Sequence, residues 1–303
     1  MSRPKAVPGA PEGALVVDKP AGPTSHDVVA VARRALGQPR IGHTGTLDPL
    51  ATGVLPLLLG RATRLAQFLA SSDKTYLATV QFGQATSSYD AAGEPVGPSQ
   101  PVTLDPDVVE GNLARFRGRQ WQMPPAVSAK KVSGHRAYDL ARRDQPVELA
   151  AVEVEVTELT LVGCAEARAQ LRVTCSAGFY VRSLAHDLGR VLGVGAHLAG
   201  LRRERSGRFT LAESVGLDRL ASTPATVASL VRPMADLLPD WPAITVSEAD
   251  VARIGHGQAL EVTTAAAPGR PSGGRVRLID QFGHLVALAE ERTGLLHPVL
   301  VLV

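Results

Sequence analysis

The chain has 303 residues, 45% of them hydrophobic, and a formal net charge of only +3. That suffices for one large domain, or a large one with a small companion, and no apolar run is long enough to predict a membrane-spanning helix. The two cysteines, Cys164 and Cys175, have neither metal-ligand spacing nor a CxxC motif. No metal or redox centre is expected, and the cysteines read as small core residues on strands in a reducing cytoplasm.

Met1 to Gly13 is rich in Pro and Gly, lacks the apolar stretch of a secretion signal, and reads as a frayed tail. Ala14 to Val17 forms a short buried strand ending at Asp18-Lys19-Pro20. Thr24 or Ser25 then caps a helix through about Leu36, with Gly37 as its stop. Residues 40 to 60 read as a loop followed by an apolar segment, and the alternation from Thr75 to Phe82 predicts a strand. Gly83 to Gln100 is a turn-rich connection, and Asp105 caps a helix to about Phe116 with Pro106 in its first turn. Val152, Val154 and Val156 alternate with glutamates, and Leu171, Val173 and Cys175 repeat the period of two. After Gly178 the period lengthens: Val181, Leu184, Ala185, Leu188, Val191 and Leu192 make a helical stripe closed by Gly193. Irregular alternation with hairpin-like pairs predicts an α+β fold around a mixed sheet. Leu237 to Ala243 reads as a linker, Ser247 opens a short helix, and Val276–Ile279 and Leu285–Leu288 are strand-like, so a small β-rich domain is expected at the end.

Charge is unevenly spread. Between Arg115 and Arg143 stand eight basic residues against one acid, Asp139, and Arg202, Arg203, Arg205 and Arg208 surround a single Glu204. Such patches mark a phosphate backbone, although a solvated arginine-rich surface is the bland alternative.

The most informative stretch is Gly42-His43-Thr44-Gly45-Thr46-Leu47-Asp48-Pro49-Leu50-Ala51-Thr52-Gly53. One carboxylate sits among small residues that let other backbone approach closely, at the lip of an apolar run. An isolated Asp-Pro is more often a turn or cap aspartate, so the whole string decides. It resembles the catalytic motif of the bacterial tRNA pseudouridine-55 synthases, the TruB family. The resemblance continues through Asp18-Lys19-Pro20, Ser72-Asp73-Lys74-Thr75-Tyr76, Pro124-Pro125-Ala126-Val127-Ser128-Ala129, Gly178-Phe179-Tyr180-Val181-Arg182 and Leu201-Arg202-Arg203.

The resemblance implies a pseudouridine synthase fold, with a mixed, largely antiparallel sheet over residues 13 to about 238. A PUA-like RNA-binding domain would occupy about 239 to 303. It also implies isomerisation of uridine 55 in the tRNA T-loop, with tRNA as partner, no cofactor, and a cytoplasmic monomer; a tRNA-folding role accompanies it. Asp48 would be the essential carboxylate, with Arg182 as its ion-pair partner. Tyr76 would be catalytic too, stacking on the target base and moving a proton, with Tyr180 and Leu201 lining the pocket and His43 wedged into the RNA loop. Lys19 takes a structural or phosphate-binding role, and Arg64, where some relatives carry lysine, is assigned to the RNA with Lys130. Lys130 lies in an insertion, about 123 to 150, that folds over the T-arm. Val127 departs from the aromatic residue common there.

The chemistry independently asks for a carboxylate. Breaking N1–C1′ and rejoining through C5 is redox-neutral, and an ionised Asp can attack C1′ or C6 or act as a base at the sugar. Desolvation beside an everted base pushes such a carboxyl toward its neutral form, and a guanidinium opposes that. Two rivals remain: a catalytically silent RNA-binding protein, and a sugar hydrolase, which needs a second carboxylate at fixed distance. His186 and Asp187, adjacent on a helix, point too far apart to form a pair and read as surface or core-edge residues.

Overall fold

The computed structural model describes residues 9–125, 149–261 and 274–303, with backbone pairing also for 131–132 and 135–136. Lys130, Val127 and most of the 123–150 insertion lie outside the described residues.

The central element is a ten-stranded sheet. Its main strands are β1 (Gly13–Lys19), β2 (Ile41–His43), β3 (Ala51–Leu59), β4 (Lys74–Phe82), β5 (Gly118–Gln122), β6 (Val152–Ala165), β7 (Arg168–Cys175) and β8 (Ala196–Ser206). The order is β1-β3-β8-β4-β7-β6-β5, with Val215–Gly216 outside β1, Phe209–Thr210 on β8 and β2 on β3. Among the described residues only the β3–β8 and β1–Val215–Gly216 ladders of this sheet are parallel, so the expected mixed, largely antiparallel sheet is present.

Three helices follow from local chemistry. Helix α1 (Ser25–Ala35) starts at Thr24, whose hydroxyl accepts from Asp27 N (3.1 Å) while the Asp27 carboxylate accepts from Thr24 N (2.8 Å). Its Val28, Val29 and Ala32 are buried against the β1–β3 half of the sheet, each valine contributing about 1.5–3 kcal/mol. Helix α2 (Pro106–Leu113) is capped by Asp105 with Pro106 in the first turn. It ends earlier than the sequence suggests, tightening into a 3₁₀ turn at Ala114–Phe116. Helix α3 (Val181–Val191) buries Val181, Leu184, Ala185 and Leu188 against β4, β7 and β8.

The C-terminal region builds its own five-stranded sheet from Ala243–Thr245, Arg275–Ile279, Leu285–Arg292, Leu295–Val301 and Leu260–Glu261, with the Ser247-capped helix Glu248–Gly255 beside it. It is not a loosely tethered tail. Leu285, Leu288, Leu300 and Leu302 share one buried cluster with Val16, Val54, Leu58 and Leu65 of the larger body. Arg275 stands over both the Phe68 and Trp241 rings, and Arg61 donates to the Leu302 carbonyl at 2.7 Å.

Candidate active site

Asp48 stands in the turn between β2 and β3, and that turn is pinned from beneath. The Ser25 hydroxyl accepts from Leu47 N (2.9 Å) and donates to Leu47 O (3.1 Å). Lys19, fully buried, donates to the carbonyls of Pro20 (2.9 Å), Pro49 (3.3 Å) and Ala51 (2.7 Å). Arg203, 1% exposed, donates to Gly45 O (3.1 Å) and Val54 O (2.7 Å). Gly53 has φ +102°, and a Cβ there would lie 2.2 Å from the Arg203 carbonyl. Only glycine lets β3 approach β8 this closely.

Above this floor Asp48 meets Arg182, from the first turn of α3. The Arg182 Nε lies 3.1 Å from Asp48 Oδ2, and its Nη2 lies 3.5 Å from Oδ1. The Nη1 reaches the Asp90 carboxylate and the Ser88 carbonyl, each at 3.4 Å. Asp90 is itself buried and accepts from Ser88 Oγ (2.5 Å) and Ala92 N (3.1 Å). One turn along α3, His186 stacks on Tyr89 with ring centroids 3.9 Å apart, so the Ser88–Asp90 turn is held to the helix twice. His186, read as a surface or core-edge residue, therefore packs behind the site.

Burial raises the Asp48 carboxyl above its ordinary value; Arg182 pulls it back down, Asp90 pushes it up, and Lys19 lowers it. The expected guanidinium is in place, yet the net direction is upward, because desolvation and the second carboxylate outweigh it. Burial likewise brings Lys19 down to about 8, against the opposing pull of Asp48. It raises the Tyr76 hydroxyl too, with Arg203 working the other way.

Tyr76 on β4 and Leu201 on β8 are partly buried and pack against both halves of the sheet's core. Leu201 pairs with Ala51 across the parallel ladder, three residues past Asp48. Tyr180 precedes α3, its backbone N–H and C=O bracketed by the Gln122 side chain at 2.7 and 3.0 Å. His43 closes β2, its ring edge-on to His26 at 5.6 Å. Asp48, Arg182, Tyr76 and Leu201 thus converge, with Tyr180 adjoining through α3 and His43 through β2.

Other assignments change. Lys19 has all three N–H groups engaged by backbone and no exposed surface, so of its two expected roles the geometry gives the structural one and excludes a direct phosphate contact. Arg64, exposed, donates to the Val301 carbonyl on the C-terminal sheet. The 202–208 cluster, read as a phosphate footprint, is largely spent internally. Arg202 pairs with Asp18 (2.8 Å), Arg208 with Asp240, and Arg203 is buried. Arg205 donates to Thr75 Oγ1 (3.2 Å) and Gly207 O (3.0 Å).

Two participants went unseen in the sequence. Asp90 follows Thr86-Ser87-Ser88-Tyr89 in a turn-rich stretch, where an aspartate looks like any turn residue. Arg203 is hidden in a run of arginines. Asp90 is the second carboxylate a hydrolase would need, but it is buried and tied to Arg182 and Ser88. Among the described residues no group of His, Cys, Asp and Glu could hold a metal ion, and no helix is long and apolar enough to cross a membrane.

Comparison with known proteins places the chain in a family. The TruB family pseudouridylate synthase N-terminal domain matches residues 33–181, and the tRNA pseudouridylate synthase B C-terminal domain matches 182–238. The chain is 46% identical over 294 residues to tRNA pseudouridine synthase B of Solibacter usitatus, covering 96% of this chain and 100% of that protein. It is 44% identical over 300 residues to the enzyme of that name from Thermobifida fusca, covering 96% and 98%. Among solved structures it resembles a chain of an H/ACA RNP bound to a substrate RNA containing 2′-deoxyuridine (TM-score 0.73, 26% identity, 96% of this chain and 85% of that one). A Cbf5-Nop10-Gar1 complex gives a TM-score of 0.69 at 28% identity, covering 94% and 80%.

Proposed function

The chain belongs to the TruB family of pseudouridylate synthases, isomerases that convert uridine to pseudouridine in tRNA, and from that premise we propose that its target is uridine 55 of the T-loop, everted and presented to Asp48. The observation that carries this reading is the Asp48 carboxylate, 36% exposed at its side chain and held edge-on by the fork of a buried arginine. An acid so placed is open to a nucleotide yet fixed in direction.

In this reading Arg182 keeps Asp48 ionised and aimed at the sugar, and Asp90 and Ser88 keep Arg182 from swinging away. The carboxylate either bonds to C1′ as N1 departs or removes a sugar proton as the same bond breaks. In both routes the base leaves with the N1–C1′ electron pair. The uracil ring turns and C5 bonds to C1′, displacing the carboxylate in the first route or adding as the carboxyl returns the sugar proton in the second; the C5 proton is then lost and N1 is protonated. Tyr76 stacks on the base, a contact worth about 1–3 kcal/mol, with Leu201 and Tyr180 as pocket walls. His43 fills the space the base vacates, offsetting the few kcal/mol of lost stacking.

We further assign residues 13–238 to the catalytic domain, 239–303 to a PUA-like RNA-binding domain, and the segment about 123–150, including Lys130, to the T-arm grip. A tRNA-folding role would use the same surfaces, and no cofactor is needed by a monomer working this way. The test is mass-spectrometric mapping of pseudouridine in unmodified tRNA. The parent should modify position 55, and Asp48→Asn should bind tRNA without modifying it. Pseudouridine formed by Asp48→Asn, or formed by the parent only elsewhere, would defeat the proposal.

A further inference from the structure

Three cations lie beneath the pocket: Lys19 (0% exposed), Lys74 (7%) and Arg203 (1%). Lys19 and Lys74 spend their ammonium groups on backbone carbonyls, at Pro20, Pro49 and Ala51 and at Ala70 and Ser72 respectively. Arg203 is different. Two of its nitrogens hold Val54 and Gly45, and its residue pairs directly with Tyr76 across the antiparallel β8–β4 ladder. Directly opposed residues of neighbouring strands stand on one face with their Cβ atoms about 4.5–5.5 Å apart, so both side chains leave the sheet together, and the Arg203 charge works against the effect of burial on the Tyr76 hydroxyl. Among the described residues Arg203 forms no ion pair with a carboxylate. A guanidinium held dry and without a counter-ion is costly, and a neutral side chain could fill the same volume.

We infer that Arg203 is a positioning residue of the reaction: from below the site it fixes the Asp48 loop at Gly45 and presents a permanent positive charge to the Tyr76 hydroxyl. This deepens the proposed function and rests on Tyr76 lining the base pocket. The isomerisation needs that charge at two moments. When N1–C1′ breaks, the detached base is an anion, and a phenol polarised by a cation donates a stronger hydrogen bond to it. When C5 has bonded to C1′, the C5 proton must leave, and an oxygen next to a fixed cation more easily bears the negative charge of a proton relay. Burial makes the hydroxyl a poorer acid, and Arg203 opposes that. Because the fork also grips Gly45 O, the same residue sets the distance between the carboxylate loop and the phenol.

The test couples Arg203 to the acidity of Tyr76. In Arg203→Gln the single-turnover rate of pseudouridine formation should fall about tenfold or more, within the range of a weakened proton-transfer contribution, with tRNA Kd little changed. Placing 3,5-difluorotyrosine, a more acidic phenol, at position 76 of that variant should restore much of the loss. An undiminished rate in Arg203→Gln overturns the inference, and so does a lowered rate that the fluorinated residue leaves unrestored, since a purely structural arginine does not respond to phenol acidity. If Arg203→Gln does not fold, Arg203→Met, which also removes the charge and leaves no buried polar group of its own unpaired, carries the same pair of measurements with the same two overturning outcomes. Tyr76→Ala separates the levels: parental rate there refutes the place of Tyr76 in the pocket, whatever Arg203 does, whereas parental rate in Tyr76→Phe alone overturns the inference about its hydroxyl.

Discussion

Replacing Arg182 by methionine removes the cation while keeping most of its volume. At about 4 Å between charge centres and the effective dielectric of a protein surface, the Arg182–Asp48 attraction is about 4 kcal/mol. Asp48 is one-third open to water, and solvent screening of that side removes a good part of this attraction. The Asp48 carboxyl is already raised by burial and must be ionised to act. Activity is therefore present above its folded-state value and lost as pH falls through it. The acid limb of the single-turnover rate–pH profile should lie higher than an ordinary aspartate predicts, and should rise further in Arg182→Met, which loses the lowering charge. Near neutral pH the parent and variant then differ most on the acid side. Asp90 is also stranded, and leaving a buried carboxylate without its partner costs about 3–5 kcal/mol. Arg182→Met/Asp90→Asn should recover melting temperature without recovering rate. An acid limb in Arg182→Met that coincides with the parent's would refute the role given to this ion pair.

Four further outcomes follow from the same geometry. Gly53→Ala, forced against the Arg203 carbonyl at a left-handed φ, should cost at least about 2 kcal/mol of unfolding free energy in urea titrations, and an unchanged midpoint would contradict the β3–β8 approach. Lys19 is brought down to about 8 by burial, so between that pH and about 10.5 the unfolded chain holds the extra proton and the parent gains stability as pH rises, by up to about 3 kcal/mol; Lys19→Met should lack this gain, and parallel pH–stability curves would refute it. Leu302→Ala should lose about 2–5 kcal/mol in the unfolding transition of the whole chain, and a separate low-temperature transition would show that the C-terminal sheet melts alone. Affinity for tRNA should fall with salt at about 0.7–0.9 log units per phosphate contacted, yet Arg202→Ala and Arg208→Ala, whose charges answer Asp18 and Asp240, should leave that slope unchanged in filter-binding assays.

What could be read from the sequence divides along a physical line. Local rules sufficed for α1, whose Thr24–Asp27 box is written in four residues, and for α3, whose stripe ends at Gly193. The Asp48 motif was legible as a string, and Arg182 by resemblance. Asp90 was not, because its meaning comes from a guanidinium 92 residues away in the chain, and its own neighbours spell only a turn. Arg203 misled for the opposite reason: a basic residue in a polar run reads as surface, and only strand pairing puts it inside. The same holds for the C-terminal sheet, whose Leu302 looks like a frayed end until it meets Leu58.

The shared core that joins the C-terminal sheet to the larger body has a mechanical consequence. Two bodies welded through leucines cannot pivot to accommodate a ligand, so the span between the carboxylate and the far sheet works as a gauge of constant length. Any polymer that engages both must do the bending itself.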